Sequence, residues 1–163
     1  SKENNISNIK TIQKAITDKN RMLHTIYDID HCTFNDNGQG EQTAEAVSLD
    51  YLLDENIIEN ISYIHLDVES YEFNVIRGAV SLINKFNPII AFEQHLKTDN
   101  YHELSKFLYD MDYNIYIIDE ILPGCRKDCR NLIAFPVSKN INIKNINESL
   151  GITILKAILT HDE

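Results

Sequence analysis

Apolar residues along this chain change period several times, and the changes mark out alternating strands and helices. Tyr63-Ile64-His65-Leu66 is a short, mostly apolar run that reads as a buried strand. Phe73, Ile76, Val80, Ile83 and Phe86 then recur at helical spacing, which predicts an amphipathic helix over about residues 71–86. Pro88 opens the next strand, where a missing N–H is tolerated. Ile89 to Phe92 is continuously apolar, as expected of a strand covered on both faces. Leu104, Phe107, Leu108 and Met111 mark a second helix over about residues 101–111, and Asn114 to Ile118 a third strand. The order β-α-β-α-β predicts an α/β sheet built mainly of parallel strands. Asn131 to Phe135 reads as a last strand; with no helix before it, it should pair antiparallel with Asn114 to Ile118.

The flanks are less regular. Asn8 to Ile16 and Met22 to Tyr27 read as strands separated by a turn at Asp18-Lys19-Asn20, and Asn35 to Gly40 as a mobile loop. Ser48 is placed to cap a short helix carrying Leu49, Leu52 and Leu53, with Asp50 at its start. Asn140 to Asn147 reads as a linker, and Ile152 to Leu159 as a terminal helix. Gly78, inside a helical pattern, is expected to serve close packing rather than a ligand.

Composition narrows the function classes. With 163 residues, 43% of them hydrophobic, the chain is sized for one domain with a substantial core. A formal charge of −10 argues against nucleic acid or anionic membrane as a partner and favours a neutral small molecule. No apolar run approaches the roughly 20 residues of a membrane span, and the polar start lacks a signal-peptide core, so a cytoplasmic location is expected. Cys32, Cys125 and Cys129 make an odd count, which suits a reducing compartment. Cys125 and Cys129, in a loop with Arg126, Lys127 and Arg130, read as reduced thiols, since the neighbourhood lacks two further zinc ligands.

The candidate chemistry lies where strands end. Tyr63 to Leu66 runs directly into Asp67, Glu69 and Glu72, and Pro88 to Phe92 into Glu93 and His95. In an α/β sheet the crevice beyond the carboxyl ends of parallel strands is where ligands bind. Asp67 is the leading candidate, as an acceptor-orienting group or as a general base if burial favours its protonated form; the alternative is that it caps the next helix. Glu69 is balanced between ligand contact and stabilising a helix start, whereas Glu72 reads as structural. Glu93 and His95 should face the same crevice as Asp67, with simple solvation the alternative for His95. His65 shares the face of Asp67 by strand alternation, as a site neighbour or a satisfied core histidine. The acids also admit a magnesium- or calcium-assisted hydrolase, although their spacing matches no recognised metal motif, and no metal is assigned.

Four blocks together resemble the carboxyl-terminal portion of the FkbM-type methyltransferase family. They are Val47-Ser48-Leu49-Asp50-Tyr51-Leu52-Leu53, Ile64-His65-Leu66-Asp67-Val68-Glu69-Ser70-Tyr71-Glu72, Val75-Ile76-Arg77-Gly78-Ala79 and Pro88-Ile89-Ile90-Ala91-Phe92-Glu93. The resemblance implies a Rossmann-like class I sheet, here partial, with S-adenosylmethionine as cofactor and O-methylation of a sugar or small-molecule hydroxyl. It implies Asp67, Glu93 and His95 as catalytic candidates and Ala15, Asp67 and Glu69 as cofactor neighbours. The chain departs from the family in having His65 where Lys is usual and Ser70 where Gly is usual. None of Gly38, Gly40, Gly78, Gly124 or Gly151 forms the family's Gly-rich cofactor loop.

On this reading residues 1–45 hold amino-terminal strands and a loop, residues 46–136 the α/β core and residues 137–163 a linker and terminal helix of one partial domain. In the family's strand order, 3-2-1-4-5-7-6, the strand at Tyr63 becomes an open apolar edge. That predicts a homodimer across the edge, or an amino-terminal segment folded over it. The alternative to an enzyme is a non-catalytic α/β module that self-assembles through this edge.

Overall fold

The computed structural model describes residues 7–27, 32–35, 37–38, 40, 42–95, 100–119, 129–151 and 155–161, with side chains left undescribed at 25–27, 32–35 and 150. Cys125, Arg126 and Lys127, expected in a loop, lie outside the described residues. Two sheets carry the fold. The first comprises β1 (Ala15–Ile16), β2 (Arg21–Tyr27), β3 (Cys32–Asn35) and β4 (Gln42–Val47) in the order β1-β4-β2-β3. The second comprises β5 (Tyr63–Leu66), β6 (Ile89–His95), β7 (Tyr113–Ile118), β8 (Cys129–Pro136) and β9 (Leu155–Leu159) in the order β5-β6-β8-β7-β9. Between and after them lie α1 (Leu49–Asp54), α2 (Glu72–Arg77), α3 (Val80–Phe86), α4 (Tyr101–Asp110) and α5 (Ile143–Leu150).

The α/β alternation stands, but a mainly parallel sheet does not. Among the described residues only β1–β4 and β5–β6 pair parallel, while β2–β3, β2–β4, β6–β8, β7–β8 and β7–β9 pair antiparallel. Two of these antiparallel pairs, β6–β8 and β7–β8, come from one insertion. β5, β6 and β7 run the same way, as helical crossovers require. β8 returns in the opposite sense and lies between β6 and β7, pairing with both. The order β5-β6-β8-β7 is nevertheless the 4-5-7-6 order that the resemblance implies.

Alternation along the strands builds the core. Ile64 and Leu66, Ile90 and Phe92, Leu132 and Ala134, and Tyr113 and Ile115 share one face and pack against Val75, Ile76, Leu82, Ile83, Leu104 and Leu108 of the helices. The opposite face of β5 is open: Tyr63 is 51% exposed and His65 is exposed, so His65 is not a core histidine. β5 ends its sheet with no outer partner among the described residues.

Several boundaries differ from expectation. Of Asn8 to Ile16 only Ala15–Ile16 is strand, because only those residues meet a partner, β4. The helix expected over 71–86 breaks at Gly78 and Ala79. There the chain touches the turn after β1, and the Asp50 carboxylate accepts hydrogen bonds from Ser81 N at 2.9 Å and Leu82 N at 2.8 Å, giving α3 its own N-terminal cap. Asp50 does sit in the first turn of α1, whose own cap is Ser48 Oγ, accepting from Tyr51 N at 3.0 Å. The expected linker holds α5, capped by Asn142 and ended by Gly151 in a left-handed conformation, φ 65°. The expected terminal helix is instead strand β9 over Leu155–Leu159, drawn out by the free edge of β7. Cys129 is not in a loop; it begins β8 and is buried.

Candidate functional site

A cleft of about 850 Å3 lies between the first sheet and the turn that leaves β5. Its apolar wall comes from β1 and the residues before it, with Ile12, Ala15 and Ile16, and from β2 and β4, with Leu23 and Ala44. Leu23 and Ala44 are cross-strand partners, so alternation turns both to the same face. The facing wall is the five-residue run Asp67 to Tyr71. Glu45 also lines the cleft and makes an ion pair with Lys14.

The acidic side of the cleft exists because β5 stops at Leu66 and the chain must turn before α2. Glu69 and Ser70 both take positive φ, 48° and 74°. For residues with a Cβ this conformation costs roughly 1–2 kcal/mol each, so the surroundings must enforce it. Glu72, 2% exposed, lies just beyond: its Oε1 accepts from Val68 N at 3.0 Å and its Oε2 from Gln94 Nε2 at 3.1 Å. Gln94, also 2% exposed, donates in addition to the Glu93 carbonyl at 2.9 Å.

The candidate residues divide into two groups. Ala15, Asp67 and Glu69 come together, all lining the cleft. Glu93 and His95, expected in the same crevice, are not on its wall among the described residues. They lie on β6, where the partner strand β8 engages the Glu93 side chain. Glu93 Oε1 accepts a contact from the Cys129 thiol, and His95 lies opposite Cys129 in the ladder. His95 is 4% exposed, and its Nε2 lies 3.8 Å from Oε2 of Glu69, a residue of the cleft wall. Asp67 is exposed, so the burial asked of a general base is not there. Among the described residues no group of three His, Cys, Asp or Glu side chains is placed to hold a metal ion.

Sequence reasoning missed the walls contributed by Leu23, Thr43, Ala44 and Glu45, because β4 is poor in β-branched residues and is defined by its pairing with β2. The Cys129–Glu93 contact was also missed; it depends on the register of β8 on β6. Gly78 lies away from the cleft, where an added Cβ would sit 2.3 Å from the Thr17 carbonyl oxygen; it serves close packing, as expected.

Chemically, the cleft offers an apolar surface faced by carboxylates. That suits a ligand with an apolar body and a positive or hydroxyl-bearing end. Among the described residues no helix is long and apolar enough to cross a membrane. The family model for the methyltransferase FkbM domain matches residues 3–115, a span that includes the whole cleft wall. Comparison with curated proteins and with solved structures found no match.

Proposed function

We propose that this chain, which belongs to the methyltransferase FkbM domain family, takes part in S-adenosylmethionine-dependent methylation of a hydroxyl on a sugar or small molecule, with the cleft beside β5 as the site. One observation supports this reading: Ala15 of β1 in the first sheet and Asp67 and Glu69 of the turn after β5 line a single cleft. The donor set fits the cofactor, since a sulfonium and an ammonium group are matched by the carboxylates of Asp67 and Glu69, and the apolar wall suits an adenosine ring. Bound there, S-adenosylmethionine supplies the methyl group.

The chain's own residues position and deprotonate. Asp67 accepts a hydrogen bond from the acceptor hydroxyl and takes its proton, a role open to an exposed carboxylate once the acceptor covers it. Glu69, whose Oε2 lies 3.8 Å from His95 Nε2, adds a second carboxylate to the cleft wall. Leu23, Ala15 and Ala44 exclude water from the opposite wall.

Isothermal titration of the chain with S-adenosylmethionine tests this reading. Saturable binding that weakens at least tenfold in Asp67→Asn is expected; no saturable heat with the wild-type chain refutes it. A second reading, a self-assembling α/β module, is favoured by the outer edge of β5, which has no partner among the described residues, and by its half-exposed Tyr63. Sedimentation equilibrium separates the two: a dimer abolished by Tyr63→Lys supports assembly through this edge, and a monomer at all concentrations removes it.

A further inference from the structure

We propose that Glu72 and Gln94 are positioning residues for the cleft, fixing the left-handed turn that carries Asp67 and Glu69 into its wall. The inference rests on the reading of the cleft as the binding site. It starts from a conflict in the chain: Glu69 and Ser70 both adopt positive φ, 48° and 74°, although neither is glycine. Local preference alone would let the turn relax, carrying Asp67, Glu69 and Tyr71 off the cleft wall.

The Glu72 carboxylate supplies the missing constraint. It is buried, and it joins the start of the turn, Val68 N at 3.0 Å, to the interior of β6, Gln94 Nε2 at 3.1 Å. Both partners are donors. A carboxylate presents acceptors in both directions, whereas a glutamine side chain presents one acceptor and one donor. In Glu72→Gln, one of the two bonds is lost unless the Gln94 amide rotates, and rotation gives up its bond to the Glu93 carbonyl, 2.9 Å. An aspartate side chain is a methylene too short to span both. The network therefore sets the turn's shape through charge and reach, and touches no cleft ligand itself.

Ser70 gives this idea its sharp test. Glycine adopts positive φ without help, so Ser70→Gly removes one of the two strained positions and should make the turn less dependent on Glu72. Hydrogen exchange followed by NMR on the whole chain, in wild type, Glu72→Gln, Ser70→Gly and the double variant, reads the Val68 amide directly. Expected is a gain in Val68 exchange in Glu72→Gln of roughly tenfold to a hundredfold, the factor carried by a hydrogen bond to a charged group. The interior amides of α4 and β7 should keep their rates. S-adenosylhomocysteine affinity, measured by titration, should fall in Glu72→Gln and recover in the double variant.

Recovery of affinity is the readout that a purely stabilising role would not produce. Should Glu72→Gln lower overall stability, Gln94→Met removes the anchor and keeps the carboxylate; a smaller rise confined to residues 67–71 is then expected. The proposal is overturned if Val68 exchange is unchanged, if all amides accelerate together in both Glu72→Gln and Gln94→Met, or if Ser70→Gly fails to restore affinity. Failure of the wild-type chain to bind S-adenosylhomocysteine would refute the proposed function and this role in binding it, while the exchange pattern would still decide what holds the turn.

Discussion

Replacing Gly78 with alanine should separate the two halves of the molecule. The new Cβ would sit 2.3 Å from Thr17 O, 2.9 Å from Asp18 Cα and 3.1 Å from Ser48 Cβ. Carbon–oxygen contacts rarely close below about 3.3 Å, so roughly 1 Å of movement is needed. Two of the three obstructing atoms are backbone and cannot rotate away. The turn after β1 must move from the α2–α3 junction, stretching the Asp50 N to Gly78 O hydrogen bond of 2.8 Å. The same motion pulls the Asp50 carboxylate from Ser81 N and Leu82 N. Overpacking costs about 1–3 kcal/mol, with the rigid obstacle placing it toward the upper end, and a lost helix cap adds about 1 kcal/mol. Alanine returns up to about 1 kcal/mol by restricting the unfolded chain, since Gly78 has a φ of −84° that any residue adopts. The net is a loss of about 2–4 kcal/mol. Urea unfolding followed by circular dichroism measures it as a lower midpoint at unchanged slope. A Gly78→Ala protein as stable as wild type would refute the close approach and, with it, the account of why the helix breaks there.

Other substitutions probe separate links. Ser70→Gly should raise stability by about 1 kcal/mol by removing the positive-φ cost at φ 74°, read from the same denaturation curve. Asp50→Ala should cost about 1–2 kcal/mol through loss of the α3 cap, with increased exchange at Ser81 and Leu82. Tyr113 is fully buried, its hydroxyl donates to Pro88 O at 2.9 Å, and burial pushes its pKa well above the ordinary 10.0. Above that value the unfolded chain releases the proton while the folded one keeps it, so this contribution is intact below pH 10 and declines as pH rises past it, by up to about 1.4 kcal/mol per pH unit. Tyr101, raised by burial as well, acts in the same direction. Tyr113→Phe should cost about 1 kcal/mol at neutral pH and make the alkaline decline shallower in a pH series of melts.

The elements legible in the sequence are those whose own residues carry the pattern. Tyr63 to Leu66, Ile89 to Phe92 and Tyr101 to Asp110 bury apolar residues at a clear period, and Ser48 announces α1 by its cap. Those missed owe their form to distant partners. Gln42 to Val47 is a strand because β2 and β1 flank it, and Leu155 to Leu159 because β7 has a free edge. At the site, Asp67 and Glu69 were legible because they follow a strand. Their meeting with Ala15 was legible only through the family resemblance. The diversion of Glu93 toward Cys129 required the register of β8, which no local pattern encodes.

The position of β8 also governs how the chain assembles as it is made. β8 is an interior strand, yet it emerges after both of its neighbours, and the residues that match the family model end at 115, inside β7. Until residues 129–136 arrive, β6 and β7 each present an unfilled edge, with the apolar Ile89 to Phe92 among the residues waiting. Such intermediates are slow to close and prone to association. A fragment cut at the boundary of the family match would keep every residue of the cleft wall and still carry that defect permanently.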